Sequence, residues 1–382
     1  MGVWDHLTGQ ADAIEAFTAA ASMAPGNIAM THSWLITGPP GSGRSNLAYA
    51  FAAALLSRGP DDEEQTIRQV AARTHPDLAV LATERVIITI DEVRALVSAS
   101  QFSPSVGRYR VVVIEDADRM TERTSNLLLK ALEEPPPRTV WLLCAPSEAD
   151  LIPTIRSRVR SVRLRVPAVA DVALLLQERD GVDAETAERA AREAQSHIGM
   201  AHRLATDPDA RARREQTLQA ALGIRSVSDA VIAAATLLAV AGDDAKAITL
   251  EKDAQEREGA LRSLGVAPGG TVPLALRSQL RALEDDQKRR ATRSLRDGID
   301  RILVDLLSLY RDILLLQLGV ATEPINQSIR GALESQAEAS TPAATLRVMD
   351  AITTARIRID SNVSPVLALE AMLVAVSRHA LR

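Results

Sequence analysis

Short apolar runs alternate with helix-length segments between Trp34 and Pro167. The strand-like runs are WLIT, RYRVVVIED, TVWLLCA and RSVRLRV, and the intervening segments SNLAYAFAAALL, IDEVRALVSA and SNLLLKALEE carry apolar residues at helical spacing. Residues 111–114 are continuously apolar, which is typical of a strand buried on both faces. Strands separated by helical crossovers predict an α/β domain, a parallel sheet with helices on both faces.

The pattern changes after Pro167, where strand-like runs disappear and Ala, Leu, Arg and Glu recur at helical spacing. The rest of the chain is therefore predicted to be all-α. The segment TDPDA at 206–210 predicts a domain boundary, and GVAPGGTVP at 265–273 predicts a loop between helices. We expect a nucleotide-binding domain at 1–166, a small helical lid at 167–207 and a helical domain at 208–382.

The composition excludes several classes of protein. The chain is 46% hydrophobic and 24% charged with a net charge of −5, which argues against a surface that coats nucleic acid non-specifically. Aromatic residues make up 2% of the chain, too few for a base-stacking platform. Cys144 is the single cysteine and allows no internal disulfide. Without a recognisable signal peptide or an apolar run of about 20 residues, we expect a soluble cytoplasmic protein.

Residues 38–45 read GPPGSGRS, close to the phosphate-binding pattern G-x-x-x-x-G-K-[ST]. Gly38, Gly41 and Gly43 would turn backbone N–H groups toward an anion at a helix N-terminus. Arg44 stands where the pattern has lysine, and Ser45 follows it. Because a planar guanidinium does not substitute for an ammonium in a tight phosphate-binding loop, we expect weak nucleotide binding and little hydrolysis. The alternative is a glycine-rich turn without a ligand.

Glu115 and Asp116 follow the buried strand at the place where a phosphate-loop ATPase carries its magnesium-binding and catalytic carboxylates. Their order is reversed, because the active pattern has the aspartate first. Octahedral Mg²⁺ and a general base both tolerate little displacement, so this is a second predicted defect. The alternative is a pair of carboxylates that only solvate a strand end.

Four segments together resemble one family: GQADAIEAF at 9–17, NLLLKALEEPP at 126–136, the strand end APS at 145–147 and PTIRSR at 153–158. Their order is similar to that of the clamp-loader branch of the AAA+ ATPases, and within it the delta-prime family of bacterial DNA polymerase III, of the high-GC actinobacterial kind. The resemblance implies an AAA+ domain, a helical lid and an all-α collar.

Ser157 and Arg158 match the Ser-Arg-Cys motif of that family, with Val159 in place of the cysteine. The resemblance implies that Arg158 acts in trans, as an arginine finger that stabilises charge on the γ-phosphoryl group in a neighbouring subunit's ATP site. The alternative is that Arg158 is one of several basic residues on a solvated edge, with Arg156, Arg160, Arg163 and Arg165.

The sequence departs from the family pattern at two places, the zinc module and the helical lid. The family's four-cysteine zinc module is absent between the phosphate-loop helix and the next strand, and His75 in THPD cannot hold zinc alone, so we predict no zinc and no other bound metal. In the lid segment SHIGMAHRLA at 196–205, Gly199 or Met200 occupies the position of the family's nucleotide-contacting arginine. Arg203 lies one helical turn away.

The C-terminal half contains one long amphipathic stretch. Its apolar stripe predicts a helix packed against others in an oligomerisation domain, and comprises Ile302, Leu303, Leu306, Leu307, Tyr310, Ile313 and Leu314. Arg289, Arg293 and Arg296 share a face, and the nearby acidic residues favour a solvated surface over a phosphate-binding one.

Three functions stay open on the sequence. The first is a stator-like clamp-loader subunit that helps load the sliding clamp, supplies Arg158 to a neighbouring ATPase and has little hydrolysis of its own. The second is an ATP-hydrolysing motor subunit of the same assembly, and the third an AAA+ scaffold adaptor in DNA replication or transposition. The expected partners are gamma/tau-like and delta-like subunits, the sliding clamp indirectly, and primed DNA; the expected cofactor is weakly bound ATP or ADP.

Overall fold

The computed structural model describes residues 2–4, 7–22, 28–83, 86–263 and 277–380. The chain folds into two compact units, Met1–Thr206 and Asp207–Arg382. The loop predicted at 265–273 lies outside the described residues. The division of the first unit into a nucleotide-binding domain and a lid at residue 166 stays a prediction.

The first unit contains a five-stranded sheet in the order β2-β3-β4-β1-β5. Every pairing is parallel, which confirms the predicted fold class. The strands are β1 (Ser33–Thr37), β2 (Leu78–Leu81), β3 (Arg110–Ile114), β4 (Thr139–Ala145) and β5 (Arg160–Arg163). Because β1 has neighbours on both sides and β5 has one, β5 forms an edge of the sheet.

Nine helices surround and follow this sheet within the described residues of the first unit. They are α1 (Ala11–Ala21), α2 (Arg44–Leu56), α3 (Pro60–Ala71), α4 (Ile90–Ser100), α5 (Glu122–Glu133), α6 (Pro153–Arg156), α7 (Val169–Asp180), α8 (Ala184–Glu193) and α9 (Ile198–Thr206). Strand β2 and helices α1, α3 and α6 were not predicted from the pattern; the other strands and the helices α2, α4 and α5 were, and α7, α8 and α9 lie in the part predicted to be helical.

The alternation of side chains along β1 divides the core into two layers. Trp34 and Ile36 pack with α1 and α2 on one face, and Leu35 packs with α4 and α5 on the other. Trp34 lies 5.0 Å from Phe17 and 5.6 Å from Phe51, ring centroid to ring centroid. Such pairs contribute about 0.5–1.5 kcal/mol each beyond their buried area. The scarce aromatic residues thus hold α1 and α2 to the sheet.

The second unit is all-α in its described residues, as predicted. Its helices are α10 (Pro208–Leu222), α11 (Val227–Ser263), α12 (Arg277–Gln317), α13 (Arg330–Ala339), α14 (Pro342–Asp360) and α15 (Pro365–Ala380). The predicted apolar stripe lies on α12, where five of its residues are buried: Ile302, Leu303, Leu306, Tyr310 and Ile313. Leu307 packs against the same core while partly exposed.

Two of the arginines predicted on the polar face of α12 pair within the second unit. Arg293 lies 3.6 Å from Asp297, and Arg296 donates to the Asn362 side chain at 2.6 Å. These contacts favour the interpretation of this face as ordinary solvated surface. Among the described residues, no helix is long and apolar enough to cross a membrane.

Candidate functional site

The phosphate loop joins the end of β1 to the start of α2 and depends on glycine. Gly41 has φ +79° and Gly43 has φ +91°, left-handed backbone conformations that residues other than glycine rarely adopt. A Cβ on Gly38 would lie 2.8 Å from the Cβ of Leu164, so glycine is needed there for close packing. The left-handed glycines place the loop amides at the N-terminus of a 13-residue helix, the geometry that attracts an anion.

Arg44 is turned back onto its own loop. Its Nη1 donates to the carbonyl oxygen of Gly38 at 2.9 Å. In an active phosphate loop the lysine at this position reaches toward the β- and γ-phosphates. Here the corresponding cation satisfies a backbone carbonyl instead.

Glu115 is held by three donors from other elements. Its Oε1 accepts a hydrogen bond from the Tyr49 hydroxyl and one of 2.7 Å from Arg73 Nη2. Its Oε2 accepts from the Ser45 hydroxyl at 3.4 Å. Burial, followed by the hydrogen bond to Glu115, raises the pKa of Tyr49 above its ordinary value, so the phenol keeps its proton. The predicted Mg²⁺-binding carboxylate is therefore already neutralised and hydrogen-bonded.

Arg73 and Tyr49 were missed by sequence reasoning. Arg73 lies two residues after the end of α3 and has φ +58°, and its guanidinium lies over the Tyr49 ring, 5.6 Å from the centroid. The sequence carries no local signal for this contact, because Arg73 and Glu115 are 42 positions apart and their meeting depends on the sheet order. Asp116, the other predicted carboxylate, forms a 3.7 Å ion pair with Arg119.

These residues fit a phosphate group better than a metal ion. The buried hydroxyl of Ser42, in the loop itself, has no hydrogen-bond partner among the described residues. Glu115, by contrast, already accepts from Arg73, Tyr49 and Ser45. In the part of the chain that the structure describes, no cluster of three or more His, Cys, Asp or Glu side chains is placed to hold a metal. The expected absence of zinc stays a prediction.

The lid segment touches the phosphate loop through His197. The backbone N–H of Ile198 donates to the carbonyl of Gly41 at 3.2 Å. A Cβ on Gly41 would lie 2.2 Å from Cγ of the His197 ring. Met200, one candidate for the family's arginine position, donates its N–H to His197 Nδ1 at 3.2 Å. The lid segment thus contacts the loop through His197 and Ile198.

Gln10 connects the loop to the end of the sheet. Its Nε2 donates to the Arg165 carbonyl at 2.8 Å, and the Arg165 N–H donates to Gln10 Oε1 at 3.2 Å. The same Nε2 lies 3.4 Å from the carbonyl of Ser42. Gly9 has φ +69° and packs against Pro167, where an added Cβ would come within 3.1 Å. These contacts give the Gly-Gln pair at 9–10 a structural role.

The THPD segment is also structural. Asp77 is fully buried and accepts hydrogen bonds of 2.6–2.8 Å from the N–H groups of Ser105, Val106 and Gly107 and from the Ser105 hydroxyl. These bonds lower the pKa of Asp77 in spite of its burial. His75 Nδ1 accepts from the Asp77 N–H at 3.1 Å, which agrees with the predicted loop role of His75.

Arg158 lies between α6 and the edge strand β5. Its Nε donates to Glu133 Oε1 at 2.6 Å, and Nη2 contacts the same carboxylate. Its Nη1 donates to the Thr154 carbonyl at 2.8 Å and to the Ser157 hydroxyl at 3.0 Å. The side chain of Arg158 is 33% exposed and that of Glu133 47%. The arginine is therefore fixed in place but accessible from solvent.

The other basic residues near this edge have different surroundings. Arg160 donates to the Ala29 carbonyl at 2.7 Å and lies over the Trp34 ring, 5.1 Å from the centroid. Arg165 pairs with Asp12 at 2.6 Å. Arg156 and Arg163 are exposed. Arg158 alone among these arginines is paired with the helix that carries the LEEPP segment.

Residues 9–168 match the protein-family model described as DNA polymerase III, delta subunit. The delta-prime subunit of DNA polymerase III from Pseudomonas aeruginosa is 38% identical over 146 residues, which are 36% of this chain and 44% of that protein. The gamma/tau subunit of DNA polymerase III from Mycobacterium tuberculosis is 28% identical over 177 residues, 44% of this chain and 31% of that protein. The chain thus spans less than half the length of these relatives.

A solved structure, the DNA polymerase III gamma subunit-related protein from Thermotoga maritima, overlaps 91% of this chain and 94% of that chain, at 18% identity and a TM-score of 0.39. The fold assignment rests on the strand order and not on so loose an overlap. The phosphate loop, the LEEPP helix and the PTIRSR turn all lie within the residues that match the family model. Residues 9–168 of this chain are thus similar to the delta and delta-prime subunits of DNA polymerase III.

Proposed function

We propose that this chain is a stator-like subunit of a bacterial DNA polymerase III clamp loader. It supplies Arg158 in trans to the ATP site of a neighbouring subunit and hydrolyses little or no ATP itself. Its partners are gamma/tau-type ATPase and delta-type subunits, and through them the sliding clamp and primed DNA. The helical second unit serves as the collar through which the subunits associate.

The observation that carries this proposal is the contrast in how the two sets of charged groups are bound. Glu115, which would hold Mg²⁺ in an active site, is paired with Arg73 at 2.7 Å and bonded to Tyr49. Arg158 keeps a partly exposed guanidinium at the edge of the sheet. The chain's own site is poorly equipped for metal-assisted phosphoryl transfer, while the cation that would act on another site is accessible.

A bound ATP in the neighbouring subunit would supply the phosphoryl group whose developing charge a guanidinium stabilises. Arginine fingers supplied in trans increase the rate at the site they serve by about 10³–10⁵. An arginine suits that role because a planar guanidinium can bind phosphoryl oxygens through two parallel N–H bonds, and Arg158 is the arginine at the position of the family's Ser-Arg motif.

The test is DNA-stimulated ATP hydrolysis by the loader reconstituted with gamma/tau-type ATPase and delta-type subunits, the sliding clamp and primed DNA. Arg158→Ala is expected to abolish the contribution of the one ATP site that Arg158 serves, while the assembly still forms. Arg156→Ala is the matched control, since Arg156 is exposed at the end of helix α6, two residues before Arg158.

Unchanged hydrolysis and clamp loading with Arg158→Ala in an intact assembly would remove the trans role. An equal loss with Arg156→Ala would show that general positive charge at this edge, rather than one arginine, is what matters.

The backbone of the phosphate loop favours a second candidate, a motor subunit that hydrolyses ATP itself. Gly41 and Gly43 keep the left-handed conformations of an anion-binding loop. Steady-state turnover by the isolated chain decides between the candidates. A kcat in the usual enzymatic range of about 1 s⁻¹ or more that is lost in Glu115→Gln would support the motor; the stator proposal expects no turnover above background.

A further inference from the structure

The guanidinium of Arg158 is almost fully occupied by its own chain. Nε and Nη2 contact the Glu133 carboxylate, and Nη1 donates to the Thr154 carbonyl and the Ser157 hydroxyl. Only one N–H of Nη2 is left for another acceptor. A guanidinium that binds a phosphoryl group through two parallel bonds needs more free donors than this. The arginine as it stands is not ready to act on a neighbouring site.

Charge leads to the same conclusion. A paired Arg158 and Glu133 carry no net charge, whereas stabilisation of a transferring phosphoryl group requires a net positive one. If the pair entered a neighbour's ATP site intact, the Glu133 carboxylate would lie within a few ångströms of anionic phosphates and repel them. The arginine therefore has to leave Glu133 in order to act.

The position of Glu133 gives it no helix-stabilising role. It is the last residue of α5, where the helix dipole is negative and a carboxylate is unfavourable. Glu134 follows at the C-cap with the same charge and is exposed. Glu133 differs from Glu134 in that its carboxylate contacts Arg158.

We propose that Glu133 restrains Arg158 in a retracted position on its own chain, and that the arginine exchanges this carboxylate for phosphoryl oxygens of the neighbouring subunit as the assembly closes. Glu133 is thus a positioning residue that acts through Arg158. This inference rests on the proposed trans function of Arg158 and adds a residue that controls it. The exchange leaves no buried charge unpaired, because both side chains are partly exposed to solvent.

The first measurement uses the isolated chain and does not depend on partners. Phenylglyoxal modifies free guanidinium groups, and peptide mass spectrometry reports its rate at Arg158. Glu133→Gln, which removes the charge but keeps the length of the side chain, is expected to raise this rate about two- to five-fold, the range for a partly exposed ion pair. Glu134→Gln is the matched control and is expected to leave the rate at Arg158 unchanged.

The second measurement uses the reconstituted loader. Glu133→Gln is expected to lower the chain concentration that gives half-maximal stimulation of hydrolysis by about two- to five-fold, with an unchanged plateau. This separation follows because the restraint acts before the arginine reaches the phosphate and is absent afterwards. A purely structural role of Glu133 would not lower the half-maximal concentration.

The outcomes overturn different statements. An unchanged modification rate in Glu133→Gln would show that the pair does not restrain Arg158. A lower plateau, approaching that of Arg158→Ala, would show that Glu133 orients the arginine for catalysis rather than restraining it. A third outcome is a raised modification rate of Arg158 in Glu133→Gln together with full ATP hydrolysis by the loader that carries Arg158→Ala. It would show that the ion pair exists but that Arg158 has no trans function, and the restraint proposal would fall with it.

Discussion

The phosphate loop and the edge that carries Arg158 use their charged residues in different ways. At the loop, Arg44 donates to the Gly38 carbonyl and Arg73 pairs with Glu115, whose side chain is only 18% exposed. At the edge, Arg158 and Glu133 are 33% and 47% exposed. The Glu115 carboxylate at the loop is therefore largely buried although its partner Arg73 is 50% exposed, whereas both members of the edge pair are in contact with water.

This difference decides what each region can do. Removing the partner of a largely buried carboxylate such as Glu115 costs more than removing that of an exposed one, and an exposed pair contributes at most about 1 kcal/mol. The loop is thus fixed in its present arrangement, and the edge can exchange partners. The proposed trans function of Arg158 depends on this difference, because it needs an arginine at the edge that can change its partner.

The largest expected effect comes from Gly41→Ala at the loop. The added Cβ would meet the His197 ring at 2.2 Å, and the residue would have to keep φ near +79°. Left-handed strain and overpacking together predict a loss of about 2–4 kcal/mol in the free energy of unfolding, measured by urea titration. Gly199→Ala is the control, because its Cβ would lie 3.6 Å from the same ring. Equal stability of both variants would contradict the packing of the lid on the loop.

A smaller effect is expected at Asp180, which ties α7 to α9. Hydrogen bonds from Arg179 and then His202 lower the pKa of Asp180 to about 2. Because the folded pKa lies below the unfolded value of about 3.9, the stabilisation is present above pH 3.9 and is lost as pH falls toward 2. Asp180→Asn should therefore cost about 1–2 kcal/mol in the free energy of unfolding at neutral pH.

The same difference between wild type and Asp180→Asn should shrink as the pH is lowered from about 4 toward 2. Asp183→Asn serves as the comparison, since Asp183 caps α8 and asparagine caps a helix equally well. A cost of Asp180→Asn that persists at low pH would assign its effect to packing rather than to charge.

At the edge, Arg158→Ala should change the free energy of unfolding of the isolated chain by less than about 1 kcal/mol. The reason is that its ion pair is partly exposed, so its removal strands no buried charge. Urea unfolding of wild type and variant checks this expectation. A loss of several kcal/mol would mean that Arg158 holds α5 and α6 together, and the contrast with the loop would disappear.

The smallest expected effect concerns magnesium. Because Arg73 already neutralises Glu115, the affinity of the isolated chain for ATP should differ by no more than about threefold between Mg²⁺ and EDTA. Isothermal titration calorimetry gives both dissociation constants. Arg73→Ala, which releases Glu115, is expected to increase the preference for Mg²⁺. A strong Mg²⁺ requirement in the wild type would restore the motor interpretation.

Much of the fold was predictable because the strongest signals were local. The continuous apolar runs that became β3 and β4 and the helical spacing of α5 and α12 are explicit in the sequence. Strand β2 was missed because LAVL is short and only partly buried at the sheet edge. Helix α3 was missed although Pro60 begins it and Asp61, Asp62 and Glu63 fill its first turn, which is a usual start signal.

The candidate site was predictable in its backbone but not in its side-chain partners. The glycines of the loop and the position of Glu115 follow from strand–loop–helix order. The contacts of Glu115 with Arg73, of Arg158 with Glu133 and of Gly41 with His197 join residues far apart in the chain. These contacts depend on which strands become neighbours and on where the lid packs. The spacing of residues along the sequence predicts neither.

One buried side chain of β4 makes the proposed separation of Arg158 from Glu133 easier to follow by labelling. Cys144 is the chain's single cysteine, fully buried in the sheet, and burial raises the pKa of its thiol to about 12. Since the thiolate is the reactive species, this sulfur should resist maleimide reagents near neutral pH. A cysteine introduced at exposed Glu134 or Arg163 could then be labelled selectively with a fluorophore or spin label, without removing the native thiol. Such a label would report the proposed separation of Arg158 from Glu133 in real time.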